Sequence, residues 1–545
     1  EGGWLGHARL AFVNVENNVQ PYVDPETGMV ISFNGEIYGW EKLNQRHNFG
    51  ARNDTEVLAK GLYRFGNDFL KELTDSQFAY IAQIPREGGI ETIVGRDAYG
   101  ISPLVFGKTH DGLVAIASTP DALKKVGVKK IKTLPAGTYG KVNDGSIDVQ
   151  RYFQLPIISP ENQKYIDPAI VREMAIQSVV DEIPEQSEIL FTAMGGMDSQ
   201  SITRAVAETT NGNFGGAITV VPWNSENPEK IDGGDYYAAK GMVEMLREKG
   251  IKINHYVVQL TPGYADENLD KILSVLGPDA FNVACGLAEH LVATTARKYG
   301  GKAVMTAGGP DETGMYKNAA YMHANKLKML GASDEEVSVR LEQGVRAVQE
   351  QFAYSEGTRA GLVLGLEGVE NRVPLKFLIE LARGVKQDQR YHIANWGDGK
   401  DSQTMKLKDK IFWRQAMKGY VPEKSLSVKK ETVHGSTGAK GVIYEVAKRD
   451  AEWQLVRDEF CKQAKRYQWE DTVHGDLENL DPKNPITEMQ AYALFRWSKT
   501  HQDEFIEGGE KRWCARNGVY EYHRDLEFQT AMPICYDWRV AGEEI

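Results

Sequence analysis

The stretch that most restricts this chain is Ile189-Leu190-Phe191-Thr192-Ala193-Met194-Gly195-Gly196-Met197-Asp198-Ser199-Gln200-Ser201-Ile202. An apolar run breaks at two glycines and resumes with helical spacing, which reads as strand, tight loop and helix. Glycines at such a break let backbone N–H groups approach a ligand, and the helix start beyond them offers unpaired donors and the positive end of its dipole. A phosphate chain suits that place. Asp198 would repel a bare phosphate, so a carboxylate there implies a divalent cation bridging it to phosphate oxygens, and Ser199 can add a hydroxyl. No G-x-x-x-x-G-K-[ST] string occurs, so this is no Walker loop. Taken alone, the same string is also what an ordinary strand-to-helix turn looks like.

With 545 residues the chain exceeds one hydrophobic core, and two to four domains are expected. No apolar run reaches the roughly 18 residues of a membrane span, and the N-terminus lacks a signal pattern, so a cytoplasmic location and no membrane partner are expected. A net charge of −12 argues against a nucleic-acid partner. Cys285, Cys461, Cys514 and Cys535 lie far apart with no C-x-x-C, as expected of buried reduced thiols. The 11 histidines show no metal-ligand spacing.

Short β-type runs at 8–14, 28–34, 77–83, 90–95 and 113–118, with one helical stretch near 54–66, predict stacked antiparallel sheets with few helices. After a Pro-rich linker, Leu155 to Pro168, strands near 188–192, 216–221, 253–259 and 302–306 alternate with helices near 168–182, 199–209, 235–249 and 285–299. That alternation predicts a parallel sheet covered on both faces, with ligands at the carboxyl ends of its strands. Thr306-Ala307-Gly308-Gly309-Pro310-Asp311-Glu312 repeats the strand-to-glycine pattern, so Asp198 and Asp311 could face one magnesium–phosphate group. Beyond Thr313 the pattern is mainly helical. The basic segment Met405 to Lys418 and the lysines of Ser427-Val428-Lys429-Lys430-Glu431 read first as solvated faces. Thr-Val-His-Gly recurs at 432–435 and 472–475, too little for a repeat.

The order of these motifs resembles the glutamine-hydrolysing asparagine synthetase family, in which a class II glutamine amidotransferase domain precedes an adenylating synthetase domain with a pyrophosphatase loop. In the first part the resemblance rests on Gly6-His7-Ala8-Arg9-Leu10, Asn34-Gly35-Glu36-Ile37-Tyr38, Asn53-Asp54-Thr55-Glu56-Val57, Gly95-Arg96-Asp97 and Leu134-Pro135-Ala136-Gly137. In the second it rests on Gly195-Gly196-Met197-Asp198-Ser199, Pro310-Asp311-Glu312, Glu370-Asn371-Arg372-Val373-Pro374 and Pro422-Glu423-Lys424 leading to Lys430-Glu431. The resemblance implies an α+β amidotransferase sandwich over 1–155, an α/β parallel-sheet ATP-pyrophosphatase domain with a helical C-terminal part over 165–500, and an extension over 501–545. The extension's Trp513, Tyr520, Tyr522 and Trp538 read as packing residues.

It further implies an ATP- and Mg²⁺-dependent amide ligase that takes ammonia from glutamine and activates a carboxylate, aspartate or another acid, as an acyl-adenylate; a homo-oligomer is possible. By resemblance, Asn34 and the Gly35 N–H form an oxyanion hole, Arg9 holds the glutamine carboxylate, and Glu36 and Asp54 hold its ammonium. Gly195, Gly196 and Ser199 hold pyrophosphate, Asp198 and Asp311 the metal, and Lys430 the charge developing on the phosphates.

Three departures stand out. The chain begins at Glu1 without the family's terminal cysteine nucleophile, and several tens of residues, including the nucleophile's strand, are expected to precede Gly6. Met194 replaces the first serine of Ser-Gly-Gly-x-Asp-Ser. Gly308 replaces the glutamate of Ser-Gly-Glu-Gly-Ser-Asp-Glu, removing an acid–base group and, by expectation, opening space beside the acceptor site. The alternatives are a relative that uses a non-aspartate carboxylate or another amine, and a non-catalytic scaffold that kept the fold.

Overall fold

The computed structural model describes residues 3–8, 10, 19–143, 145–223, 235–314, 328, 330–354, 356–393, 407–427, 437–467 and 485–502. Arg9, most of the run at 8–14, Met405, Lys429, Lys430, both Thr-Val-His-Gly strings, Cys514, Cys535 and nearly all of 501–545 lie outside the described residues.

In the first part, β1 (Tyr22–Val23), β2 (Val30–Glu36), β3 (Gln77–Arg86) and β4 (Gly89–Arg96) are followed by β5 (Val105–Lys108), β6 (Val114–Ala117), β7 (Ile131–Thr133), β8 (Thr138–Asn143) and β9 (Ser146–Arg151). They form a six-stranded antiparallel sheet, β1-β2-β3-β4-β8-β9, and a three-stranded one, β6-β5-β7. The two-residue period of a strand explains the layering. On β3, Phe78, Tyr80, Ala82 and Ile84 pack in one core with Leu43 of α1 (Trp40–His47) and Val57, Leu58 and Leu62 of α2 (Asp54–Phe65). Ala79 and Ile81, one residue out of phase, pack with Phe106 and Ile116 of the small sheet. Stacked antiparallel sheets were legible; β5 and β7 to β9 were not.

Beyond α3 (Pro120–Lys125), α4 (Pro168–Asp181), β10 (Leu190–Ala193), α5 (Met197–Thr209), β11 (Gly216–Pro222), α6 (Asp235–Glu248), β12 (His255–Leu260), α7 (Pro262–Leu276), α8 (Ala280–Lys298), β13 (Ala303–Met305) and β14 (Glu370–Arg372) build a wholly parallel sheet in the order β12-β11-β10-β13-β14. Neighbouring residues again point to opposite faces. Phe191, Ile218 and Val304 face the core with α7 and α8; Leu190, Ala217 and Ala303 face the one with α4, α5 and α6. The expected strand and helix order holds, with α7 and β14 as additions. Strand order reverses direction between β10 and β13, and a crevice opens at such a switch point. No helix among the described residues is long and apolar enough to cross a membrane. Cys285 and Cys461 are buried, and neither forms a disulfide among the described residues.

The two parts meet through buried polar contacts. Arg96, fully buried, donates to the carbonyls of Ser102 (2.8 Å), Leu134 (2.7 Å) and Gly100 (2.6 Å) and to Thr358 Oγ1 (2.7 Å) on the helix Glu356–Gly365. Asp97 beside it accepts the backbone N–H groups of Tyr99, Ile101 and Ser102. The Gly95-Arg96-Asp97 string is thus a structural fan that shapes the turn and ties it to the second part. Replacing Arg96 by methionine strands the Ser102 and Leu134 carbonyls, leaves Gly100 only the Thr358 hydroxyl, and removes the cation beside the buried Asp97. Arg96→Met should therefore cost about 3–5 kcal/mol in urea unfolding; an unchanged midpoint would show that the fan is dispensable.

Candidate active site

The carboxyl end of β2 carries Asn34-Gly35-Glu36, in register with Ala79, Phe78 and Gln77 of β3. Gly35 has φ 136°, and a Cβ there would lie 2.1 Å from the Gln77 carbonyl oxygen, so only glycine fits. The two-residue period puts Asn34 and Glu36 on one face of β2, Asn34 exposed and Glu36 buried. Nearby, Asn53 caps α2 by accepting Glu56 N–H at 2.9 Å, which sets Asp54 in the first turn. Asp54 accepts the N–H groups of Thr55 (2.7 Å) and Ile37 (3.4 Å). Asn34, Gly35, Glu36 and Asp54 line one cavity of about 520 Å³, whose far wall is Gly361, Leu362, Val369, Glu370 and Asn371 from the second part.

Burial, reinforced by the Asp54 charge, raises Glu36 well above the usual carboxylate range, and Arg372 opposes that rise. Burial lifts Asp54 to about 6, against the Ile37 and Thr55 N–H groups that favour its ionised form.

The second site lies at the switch point. Gly195 and Gly196 leave β10, and their neighbours hold the loop shut on itself. Ser199 Oγ accepts Gly195 N–H (2.8 Å) and donates to the Gly196 carbonyl (3.0 Å), while Gln200 Nε2 donates to the Gly195 carbonyl (2.7 Å). A Cβ at Gly195 would lie 2.8 Å from Cγ of Asp235, so a side chain there would have to displace this acid at the start of α6, which no sequence pattern flagged. Met194 packs in the core beneath the loop, 3% exposed, with its carbonyl held by Thr219 Oγ1 at 2.7 Å. The serine-to-methionine departure therefore turns into the core.

Asp198 and Asp311 do converge, and Lys410 is the cation between them. Its Nζ lies 2.7 Å from Asp198 Oδ2 and also pairs with Asp311, while Trp413 Nε1 donates to Asp198 Oδ1 at 2.8 Å. Lys410 is 1% exposed and has φ 50° at the start of the helix Ile411–Met417. This corrects the reading of Met405 to Lys418 as a solvated face: Lys410, Phe412, Trp413 and Met417 are buried. Among the described residues no group of three or more His, Cys, Asp or Glu is gathered to hold a metal. Magnesium commonly takes one or two protein carboxylates and completes its shell with water and phosphate oxygens. Asp198 and Asp311 fit that role in donor type and convergence, sharing their charge with Lys410.

The expectation that Gly308 opens space is corrected. A Cβ there would meet the Phe352 ring at 2.8 Å and Val373 Cγ1 at 3.2 Å, and Phe352 is 1% exposed. The room of a longer side chain is filled by an aromatic ring from a stretch the sequence marked only as helical. Gly308→Glu should therefore overpack this contact and cost about 1–3 kcal/mol in denaturant unfolding; a neutral outcome would mean that Phe352 moves freely aside.

A glutamine amidotransferase domain model matches residues 1–133. Glutamine-hydrolysing asparagine synthetases align over most of the chain. The one from Asparagus officinalis is 24% identical over 71% of this chain and 63% of its own length. The second such enzyme of Oryza sativa is 25% identical over 68% and 60%. A probable asparagine synthetase of Dictyostelium discoideum is 24% identical over 84% and 81%. Over most of its length the chain is thus similar to glutamine-hydrolysing asparagine synthetases, and its first 133 residues match the glutamine amidotransferase domain. It spans less than two thirds of the length of the Asparagus and Oryza enzymes.

Of the quoted motifs, the sequence assigned no role to Glu370-Asn371-Arg372, and the structure makes it β14, which lines the first cavity and pairs with β13. Lys410 and Phe352 lay in no quoted motif and had no local signal.

Removing one partner of a buried charge cluster leaves the others uncompensated. Lys410→Met should cost about 3–5 kcal/mol in denaturant unfolding. Mg²⁺ alone should raise the melting temperature of Lys410→Met more than that of the parent, because the freed carboxylates gain a cation. Equal responses would separate Lys410 from the metal positions.

Proposed function

We propose that this chain is an ATP-dependent amide-forming ligase of the asparagine synthetase type, taking ammonia from glutamine and activating a carboxylate as an acyl-adenylate. The observation that carries this reading is the 520 Å³ cavity, in which Asn34, Gly35, Glu36 and Asp54 face Glu370 and Asn371 of β14. β14 is hydrogen-bonded to β13, whose carboxyl end leads into the loop bearing Asp311. An amine released at the first site thus stands beside the strand that leads to the second.

In this reading Asn34 and the Gly35 N–H stabilise the oxyanion formed as the glutamine amide is attacked. Arg9 pairs with the ligand's carboxylate, and Glu36 and Asp54 hold its ammonium. At the switch point the Gly195-Gly196 backbone and Ser199 cradle the phosphates of ATP. Asp198 and Asp311 would hold Mg²⁺, which supplies charge neutralisation on the departing pyrophosphate. Lys410 keeps the two carboxylates oriented, and Lys430 meets the charge developing on the phosphates. The acyl-adenylate then yields AMP and an amide when ammonia attacks its carbonyl carbon.

One observation favours a carboxylate other than aspartate as acceptor. The position of the family's glutamate is Gly308, packed under Phe352 and Val373, so the proton-handling group is lost without a vacant space in exchange.

The test supplies ATP, Mg²⁺, an ammonium salt and a panel of carboxylic acids, and follows pyrophosphate and AMP. Release should require an acid, and Asp198→Ala should lower it by roughly 10²-fold or more. Brisk asparagine formation from aspartate would remove the non-aspartate preference; release unaltered in Asp198→Ala would remove the metal and phosphate assignment. Separately, glutamine should bind in calorimetry, and Asp54→Ala should abolish binding; persistence would displace Asp54 from the ammonium subsite.

A further inference from the structure

The groups around Glu36 come from both parts of the chain. Arg372 belongs to β14 in the second sheet, yet its guanidinium lies 3.4 Å from Glu36 and 2.8 Å from Glu370, with side-chain exposures of 3% for Arg372 and 10% for Glu36. It also donates to the Glu182 backbone carbonyl and lies against the Tyr38 ring. Lys376, the neighbouring buried cation, is engaged by the Glu182 carboxylate. Among the described residues, three buried carboxylates, Glu36, Asp54 and Glu182, and the partly buried Glu370 thus stand with two buried cations, Arg372 and Lys376. Such a balance favours a ligand that brings positive charge.

Two further atoms point the same way. Gln77 Oε1 and Asn371 Nδ2 are buried without hydrogen-bond partners among the described residues, on side chains that line the cavity. Residues 1% and 4% exposed do not leave polar atoms idle without cost, so the cavity is furnished for a polar occupant.

We propose that Arg372 is a positioning residue of the amidotransferase pocket: reaching across from the second sheet, it fixes Glu36 as an anion facing the cavity, where Glu36 and Asp54 take the ligand's α-ammonium. The proposal rests on the reading of this cavity as a glutamine site. An ionised carboxylate has about four acceptor positions, so contact with one guanidinium leaves room for an ammonium. The groups facing Glu36 are Asp54 from α2, Arg372 and Glu370 from β14, Glu185 from the turn after α4, and the Tyr38 phenol. Asp54, Glu370 and Glu185 push Glu36 toward its neutral form, and Arg372 opposes them. A neutral Glu36 would leave the ammonium with a weaker partner. Strand β14 is therefore part of the glutamine pocket as well as of the synthetase sheet.

The experiment is isothermal calorimetry of glutamine on the full chain from about pH 5 to pH 9, with Arg372→Gln, Arg372→Lys and Glu370→Gln, each checked for folding by circular dichroism. Binding needs an ionised Glu36, so it fades as pH falls through that group's titration. Without the guanidinium that midpoint should rise by about one pH unit, a tenfold loss at any pH below both midpoints. Arg372→Lys should restore most of it. Glu370→Gln, which removes a competing carboxylate, should move the midpoint the other way. If Arg372→Gln does not fold, the direction of the Glu370→Gln shift decides. Midpoints unmoved in both variants, even with uniformly weaker binding, would assign Arg372 a purely structural role and overturn the proposal. No glutamine binding by the parent chain at any pH would defeat the reading of the pocket, and the proposal with it.

Discussion

A buried charge has to be matched where it sits, and that requirement organises this molecule more than any single core contact. Arg372 carries the constraint furthest. Its guanidinium serves Glu36 from the first antiparallel sheet and Glu370 from the edge of the parallel sheet. Burial raises both carboxylates, and Arg372 opposes that rise in each. The two parts of the chain are therefore held in one arrangement by shared charge, and the cavity between them inherits its polarity from the same groups. Arg96 and Lys410 repeat the device, one fixing the turn after β4 and the other closing the two acidic loops on each other.

For the proposed ligase, this arrangement would give a geometric basis for joining two half-reactions. A parallel sheet gathers ligand-binding loops where its strand order reverses, here between β10 and β13. β14 then lies one strand further out, and its outer side chains meet the amidotransferase sheet. Gln77 Nε2 on β3 donates to the Asn371 carbonyl at 2.6 Å, and Asn371 Oδ1 accepts from Thr306 Oγ1 at 2.8 Å, at the root of the Asp311 loop. Three successive residues of β14 thus touch the cavity, the first antiparallel sheet and the second loop.

Much of the fold was legible because it rests on local periodicity. The short apolar run at 77–83 and the alternating strand and helix signals from 168 to 306 survive in the structure with boundaries moved by a few residues. What stayed hidden was set by tertiary contact. Glu370-Asn371-Arg372 is too short and polar to read as a strand, and becomes one because β13 offers it a parallel edge. Lys410 sits in a run whose charges look solvent-directed, and only the convergence of Asp198 and Asp311 draws it inside. Gly308 looked like a vacancy because sequence cannot reveal that Phe352, 44 positions later, packs its ring there. Asn34, Gly35, Glu36 and Asp54 were foreseen as a group, and they share one cavity; Arg9 and Lys430 lie outside the described residues.

The central claim is that glutamine occupies the cavity between the two parts with its ammonium on Glu36 and Asp54, and that Arg372 of the second part completes this subsite. A crystal structure of the full chain soaked with glutamine tests it most directly. The account predicts the α-nitrogen within about 3 Å of a carboxylate oxygen of Glu36 or Asp54, with the Arg372 guanidinium still against Glu36. Glutamine bound elsewhere, or bound here with Arg372 turned wholly to Glu370, would contradict it.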